Sequence, residues 1–174
     1  MSLFLSDCAH EFRRHKMLVD QAMASLDDAL FFRKPAEKSN SVAIIIKHLA
    51  GSARSRWTNF LSTDGEKPDR NRDGEFEITP ADDRHSLMAA WEKAWAILLG
   101  TISSLTDTDL GHTVTIRGEP HRVQQAVLRG LDHVAYHTGQ ILYLCRLLAP
   151  DAPYLTIAPG ATKSHPSNYL RTGS

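Results

Sequence analysis

The stretch "LDHVAYHTGQ" at residues 131–140 carries two histidines one helical turn apart, His133 and His137. Side chains at positions i and i+4 of a helix project from the same side, so these imidazoles lie close enough to hold one ion together. Val134 and Ile141 place the pair on or beside an apolar stripe. A buried imidazole without partners leaves a donor and an acceptor unsatisfied, at about 1–3 kcal/mol each. The spacing is compatible with a metal-ligand pair, a proton-transfer pair or two core histidines.

A third candidate ligand is His48, which lies within "VAIIIKHLAGSARSRW" at the edge of the apolar side of another predicted helix. Ala50 and Gly51 beside it permit a close approach by a further helix. Three histidines from two facing helices form a ligand set with one or more positions left for water or substrate. Imidazole suits Zn²⁺, Ni²⁺, Fe²⁺ and other borderline ions. Taken alone, a histidine at the edge of a stripe is more often structural.

The remaining histidines carry weaker signals. His15 lies on the apolar stripe of the first helix, where it is either a hydrogen-bond partner of the site or an ordinary core residue. The other five lie at exposed, capping or loop positions and are expected to be solvated: His10, His85, His112, His121 and His165. The clusters "RSRW" (54–57) and "RNRDGE" (70–75) favour solvated faces over binding sites. Arg54 or Arg56 would still reach an anionic substrate near the end of the bundle.

Four segments with helical periodicity position these residues, and their apolar stripes predict helices over about 4–30, 41–62, 80–105 and 121–148. Asn40 or Ser41 is the expected cap of the second helix, and Thr79 that of the third. Between the third and fourth helices, "HTVTIRGEPHRV" alternates in polarity and contains turn residues, which predicts a short hairpin in the 116–121 region. The connection at 63–79 is rich in charges, Gly and Pro, and is predicted not to be a packed element.

These elements indicate an all-α fold, a four-helix bundle over residues 1–150 with a small β-hairpin before the fourth helix. The long connection at 63–79 suits a crossover along the bundle. Residues 151–174 have no helical period and are predicted to form an extended or partly disordered tail. Bundles build metal and ligand sites between facing helices, which is where His48, His133 and His137 would meet.

Composition narrows the class of protein. Twenty basic residues balance twenty acidic ones, so no global field favours nucleic acid as the main partner. No stretch approaches the roughly 20 apolar residues of a membrane span. Cys8 and Cys145 lie far apart in apolar patterns, which favours two reduced core thiols. The first residues lack the basic segment of a secretory signal. Together these features predict a cytoplasmic protein.

The order of these motifs resembles the DinB/YfiT-like superfamily of four-helix-bundle proteins regarded as metalloenzymes. The resemblance rests on His48 within "SVAIIIKHLAGSARSRWTNFLSTDGEKPDRNRDGEFE", the hairpin, and "HVAYHTGQILYL", and it is strongest to a bacterial subgroup of unknown function. It implies a left-handed bundle of up-down-down-up type, frequent homodimers, and a metal triad at His48, His133 and His137. It also implies nickel or zinc as the ion.

The same resemblance implies two alternatives for function. Some members are thiol S-transferases that use a low-molecular-weight thiol, and others are isomerases or hydrolase-like, which makes a metal-dependent enzyme the first hypothesis. The second hypothesis is a non-catalytic, stress-related or structural dimeric bundle. A pocket plugged by Trp91, Trp95 or Tyr136 would favour the second.

Overall fold

The computed structural model describes residues 3–153 and 155–161. This part of the chain contains five helices and one two-stranded antiparallel hairpin: α1 (Leu3–Met23), α2 (Asp28–Phe32), α3 (Val42–Trp57), α4 (Arg84–Ser104), β1 (Thr113–Ile116), β2 (Glu119–Arg122) and α5 (Val123–Leu148). Short 3₁₀ turns lie at Asp73–Phe76 and Thr108–Gly111. The mostly helical architecture with a small hairpin is confirmed, whereas the up-down-down-up bundle topology stays a prediction. None of the described helices is long and apolar enough to cross a membrane.

Side-chain caps decide where α3 and α4 begin. The Ser41 hydroxyl accepts a hydrogen bond from the third backbone N–H of α3 at 3.2 Å, as one of the two predicted caps would. The predicted cap Thr79 is wrong, because Asp83 caps α4 and forms a capping box with Ser86. Thr79 instead donates its hydroxyl to the carboxylate of Asp82 in the preceding turn. The third predicted helix, which is α4, therefore begins later than its apolar stripe indicated.

The first predicted helix is in fact two helices. α1 ends at Met23, and a separate short helix, α2, starts after Asp27, whose carboxylate accepts from the backbone N–H of Leu30 at 2.8 Å. Arg84 of α4 donates to the carbonyl oxygens of Met23 and Leu26 at 2.8 and 2.6 Å. These contacts satisfy carbonyl oxygens that have no partner within a helix where α1 ends, so few backbone hydrogen bonds are lost at the break between α1 and α2.

The core surrounds Phe12 of α1. Its ring meets the rings of Trp57 and Trp95 edge-on, with centroids 6.0 and 6.4 Å apart, so one side chain joins α1, α3 and α4. Trp91 packs against Trp95 at 5.2 Å and donates its indole N–H to Asp20 at 2.9 Å. Each aromatic pair contributes about 0.5–1.5 kcal/mol beyond its buried area. α1 packs on α4 and α5, and α3 packs on the same two helices.

Gly130 allows α3 and α5 to approach closely. A Cβ at this position would lie 2.6 Å from Cζ2 of Trp57 and 3.7 Å from Cζ of Phe12. Because the Trp57 ring is buried and held by Phe12, it has little freedom to move away. The missing side chain therefore lets the indole lie directly on α5, one turn before the first histidine of that helix.

The connection between α3 and α4 is packed, contrary to the sequence prediction. The hairpin turns at Arg117 and Gly118, which both have positive φ, as a two-residue type I′ turn requires. The Asp64 carboxylate accepts from the backbone N–H of both residues at 2.9 and 2.8 Å. On the other side, the Ser55 hydroxyl of α3 donates to the Gly65 carbonyl at 3.0 Å. These bonds fasten the start of the connection to the hairpin and to α3.

We expect Gly130→Ala to destabilise the protein relative to Gly139→Ala on the same helix. Both changes gain about 1 kcal/mol of helix propensity. The new methyl at Gly130 collides with Trp57, whereas nothing lies within 4 Å of a Cβ at Gly139. Overpacking costs about 1–3 kcal/mol, and the difference appears in the free energy of unfolding from urea titrations. Equal stabilities of the two variants would contradict the close contact of Trp57 with α5.

Candidate metal centre

The three predicted histidines come together between α3 and α5. One ring nitrogen from each of His48, His133 and His137 lies within 4.8 Å of the others. The Nε2 atoms of His48 and His133 are 3.2 Å apart. Two nitrogens bound to a tetrahedral Zn²⁺ at 2.0–2.1 Å are separated by about 3.3 Å. The His48–His133 pair is thus spaced nearly as a metal requires, and His48 and His137 are only 5% and 8% exposed.

Glu75 fixes the orientation of His48. Its Oε2 lies 2.9 Å from Nδ1 of the imidazole, and a carboxylate only accepts, so the Nδ1–H donates to it. In the neutral ring, Nε2 then carries the lone pair and faces the other two histidines. The Phe76 ring packs on the imidazole with centroids 4.7 Å apart. Both contacts come from the 3₁₀ turn at Asp73–Phe76, in the connection between α3 and α4.

Gln140 fixes His137 in the same way. Its Oε1 lies 2.8 Å from Nδ1 of His137, one turn along α5, and accepts the ring N–H. The Nε2 atom of His137 is then left with its lone pair. The His133 and His137 rings stand nearly perpendicular, with centroids 4.7 Å apart. Orientation of a ligand imidazole through its second nitrogen is the usual arrangement in metal sites.

Arg70 holds the Glu75 carboxylate through two parallel bonds of 2.8 Å, Nε to Oε1 and Nη2 to Oε2. Fork-to-fork pairs of this kind are the strongest and most directional that arginine makes. Arg70 also donates to Glu66 at 3.0 Å, and Glu66 accepts from Arg117 in the hairpin at 3.2 Å. A continuous chain of charged groups therefore runs from His48 to the hairpin.

Gly51 provides the space for this carboxylate. It lies one turn after His48 on α3, and a Cβ there would overlap the Glu75 carboxylate. The sequence indicated that Gly51 admits another helix. The structure corrects this expectation, because the group admitted is a side chain of the connection.

Burial keeps the histidines of α5 uncharged. It lowers the pKa of His133 to about 3, and repulsion from a proton on His137 or His48 and from the charge of Arg56 acts in the same direction. Burial also lowers the pKa of His137, although the hydrogen bond to Gln140 opposes it. Both rings are therefore neutral at pH 7, which is the form that binds metal.

The Glu75 carboxylate is ionised in this site. Burial raises its pKa, but the hydrogen bonds from Arg70 and His48 outweigh that effect, and the net shift is downward. A negative charge is therefore held against the imidazole of His48, where it increases the basicity of the ring.

Sequence reasoning missed Glu75 and Arg70. It assigned "RNRDGE" to a solvated face, whereas the side chains of these two residues are 8% and 5% exposed. Only Gly51, an unfilled position beside a candidate ligand, signalled that a group would lie there. Gln140 was recognisable in principle, since i+3 spacing on a helix places it beside His137.

The other candidate histidines do not join the site. Nδ1 of His15 has no hydrogen-bond partner among the described residues, and the bonds to the triad come from Glu75 and Gln140 instead. His85 and His112 are exposed as expected, whereas His10 and His121 are partly buried. His165 lies outside the described residues, as does most of the predicted tail.

The aromatic residues that are expected to fill the pocket at the triad in a structural site either lie elsewhere or are exposed to solvent. Trp91 and Trp95 contact each other and α1 in the core. Tyr136 touches the ring of His137 with centroids 4.8 Å apart, yet it is 62% exposed. The contacts of these three residues therefore give no support to a plugged, purely structural site.

Comparison with known proteins places the chain in a family. The model of a family described as a protein of unknown function, DUF1572, matches residues 1–161. No curated protein matches the sequence. The match includes every residue of the triad and of its supporting chain, while the family description names no activity.

We expect the metal-free protein to lose stability as the pH falls below about 6.5. His133 binds a proton near its ordinary pKa of 6.5 when unfolded, but only near 3 when folded. Between these values the unfolded state holds more protons, so the free energy of unfolding decreases as the pH decreases. Between pH 7 and pH 5 the expected loss is about 1–2 kcal/mol, measured by urea unfolding in the presence of a chelator.

The matched variants are His133→Asn and His112→Asn. The first should lose most of this pH dependence, whereas the second changes a side chain that is 60% exposed and should retain it. An unchanged pH dependence in His133→Asn would show that this ring is not held neutral in the folded state.

Proposed function

The chain belongs to the DUF1572 family, and we propose that it binds one divalent metal ion through His48, His133 and His137. One observation carries the proposal: three imidazoles converge, and two of them have their Nδ1 atoms fixed by Glu75 and Gln140. With those two atoms fixed, Nε2 of His48 and Nε2 of His137 are left to act as ligands, and the three rings lie close enough together for one cation to be shared among them.

Proton transfer and a purely structural role for the histidines both have less support. A proton-transfer group works best with a pKa near the working pH, and His133 with a pKa of about 3 is far from it. Core histidines would be expected to satisfy both ring nitrogens with protein partners. Nε2 of His48 lies 3.2 Å from Nε2 of His133, so these two atoms form a hydrogen bond when one of the rings carries its proton there. Among the described residues, however, His137 has a hydrogen-bond partner only at Nδ1, which leaves its Nε2 without one.

Zinc or nickel is the proposed ion, because three imidazoles and no thiolate suit these borderline metals. When bound, such an ion lowers the pKa of a coordinated water or thiol and polarises a substrate. The chain's own part is to hold the ligands neutral, to orient His48 through Glu75 and to leave coordination positions free. The resemblance to the DinB/YfiT-like superfamily supports the same triad.

We further propose a metal-dependent transferase or hydrolase, with thiol S-transfer from a low-molecular-weight thiol as the leading reaction. Support comes from the resemblance and from the partly buried, incompletely enclosed triad, in which His133 stays partly accessible. We propose, on the same resemblance and on the composition, that the protein is a homodimer and that it is located in the cytoplasm. The non-catalytic alternative would gain support if metal-loaded protein turned over no combination of thiol and electrophile.

The direct test is metal loading of protein purified without a histidine tag. After removal of metal with a chelator, Zn²⁺ or Ni²⁺ should bind at about one ion per chain, as measured by calorimetry and elemental analysis. His133→Ala and His137→Ala should abolish stoichiometric binding, whereas His112→Ala should not. Full loading of either triad variant would refute the assignment of the ligands.

A second test concerns the support of His48. Glu75→Gln preserves the shape of the side chain but removes the negative charge that lies beside the His48 imidazole. Metal affinity should therefore fall about 10- to 100-fold with the stoichiometry unchanged. Glu77→Gln, an exposed change in the same segment, serves as the control. Equal dissociation constants for the two variants would mean that Glu75 does not support the metal site.

A further inference from the structure

Arg56 is a partly buried guanidinium without an ion-pair partner among the described residues. It lies two turns after His48 on α3, and its Nε is buried without a hydrogen-bond partner among the described residues. The connection covers its stem, since a Cβ at Gly65 would lie 3.6 Å from its Cγ. In residues 3–153 and 155–161, no carboxylate lies within ion-pair distance of it. Desolvation of an unpaired charge is costly unless something else compensates it.

Arg129 stands beside Arg56 on the facing helix. Trp57, the next residue of α3, contacts Gly130, the next residue of α5, so the helices touch at this level. The charge of Arg129 is also close enough to lower the pKa of Arg56. Arg129 is exposed, and its Nη1 lies 3.0 Å from Nε2 of His121, which is an acceptor without charge in the neutral ring. No carboxylate forms an ion pair with Arg129 in the part of the chain that the structure describes.

The two arginines lie next to the histidine triad. Arg129 precedes His133 by four residues, so both project from the same side of α5. The charge of Arg56 is close enough to contribute to the lowered pKa of His133. A ligand held by the guanidinium groups would therefore extend towards the three imidazoles.

The surrounding charges leave an excess of positive charge. Burial lowers the pKa of Arg56 to about 10, and the charges of Arg129, Arg70 and Arg117 act in the same direction, while Glu66 opposes them. Glu66 already accepts hydrogen bonds from Arg70 and Arg117. It is therefore shared among several cations and does not neutralise Arg56. A divalent ion on uncharged imidazoles would increase the excess.

We propose that Arg56 and Arg129 form a subsite for the carboxylate or phosphate group of a small-molecule ligand bound beside the histidine triad. Arginine presents several N–H donors in a planar fork that matches such oxyanions, and the partial burial of Arg56 strengthens the attraction. The role of this ligand as the substrate rests on the proposed metal site, whereas binding of the anion does not. Arg54, in the same "RSRW" cluster, is exposed and already paired with Asp69 at 3.3 Å.

The experiment measures binding of inorganic phosphate by calorimetry, with protein carrying stoichiometric zinc and with metal-free protein. Saturable binding at one site is expected in both. Arg56→Gln and Arg129→Gln should each weaken it about ten-fold or more, which corresponds to about 1.4 kcal/mol. Arg54→Gln is the matched control on the same helix and should change the dissociation constant less than about two-fold. Because Arg129 is exposed, its variant tests the subsite even if Arg56→Gln folds poorly.

The outcomes separate this subsite from the metal site. Absence of saturable phosphate binding, or an equal loss in Arg54→Gln, overturns the subsite. Phosphate binding by the zinc-loaded protein alone, unaffected by either arginine variant, also overturns it, because the anion then binds the ion itself. Arginine-dependent phosphate binding by a protein that takes up no zinc upholds the subsite and refutes the proposed metal function.

Discussion

The hydrogen bond between Glu75 and His48 is the interaction on which the arrangement of the site depends. It joins a buried carboxylate to a buried imidazole, and neither group would be stable there alone, since each would leave polar atoms unsatisfied. Arg70 completes the pair by binding both carboxylate oxygens, so that the negative charge is compensated where it is buried. As a result, the ring of His48 has one orientation, and that orientation directs Nε2 towards α5.

Three separate features of the chain make this interaction possible. Gly51 leaves the volume that the carboxylate occupies, because any other residue would place a Cβ in it. Asp64 fastens the start of the connection to the hairpin turn, which sets the path of the chain before Arg70. Gly130 lets Trp57 lie against α5, which brings the helix carrying His48 close to the one carrying the other two histidines. The site is therefore a property of the packing of α3, α5 and the connection together.

This dependence explains which parts were predictable from the sequence. Helical periodicity located the main helices, and i,i+4 spacing identified His133 and His137, because both signals are local. Glu75 is 27 residues from His48 and belongs to an irregular segment, so its position depends on the tertiary path of the connection. The same charged, Gly- and Pro-containing composition that indicates a loop also occurs in a loop that packs. Composition therefore could not distinguish the solvated Arg72 from the buried Arg70 two residues earlier.

The electrostatics of the site follow from its ligand type. A metal held by carboxylates is largely neutralised by its own ligands, but imidazoles contribute no negative charge. Glu75 pairs with Arg70, and Glu66 pairs with both Arg70 and Arg117, so these two carboxylates are balanced by two arginines before they can compensate an ion. The charge of a bound cation would therefore favour an additional anionic ligand such as hydroxide, a thiolate or the anionic group of a small molecule. Arg56 and Arg129 add further positive charge at the same end of α5, which favours a ligand that carries its own negative charge.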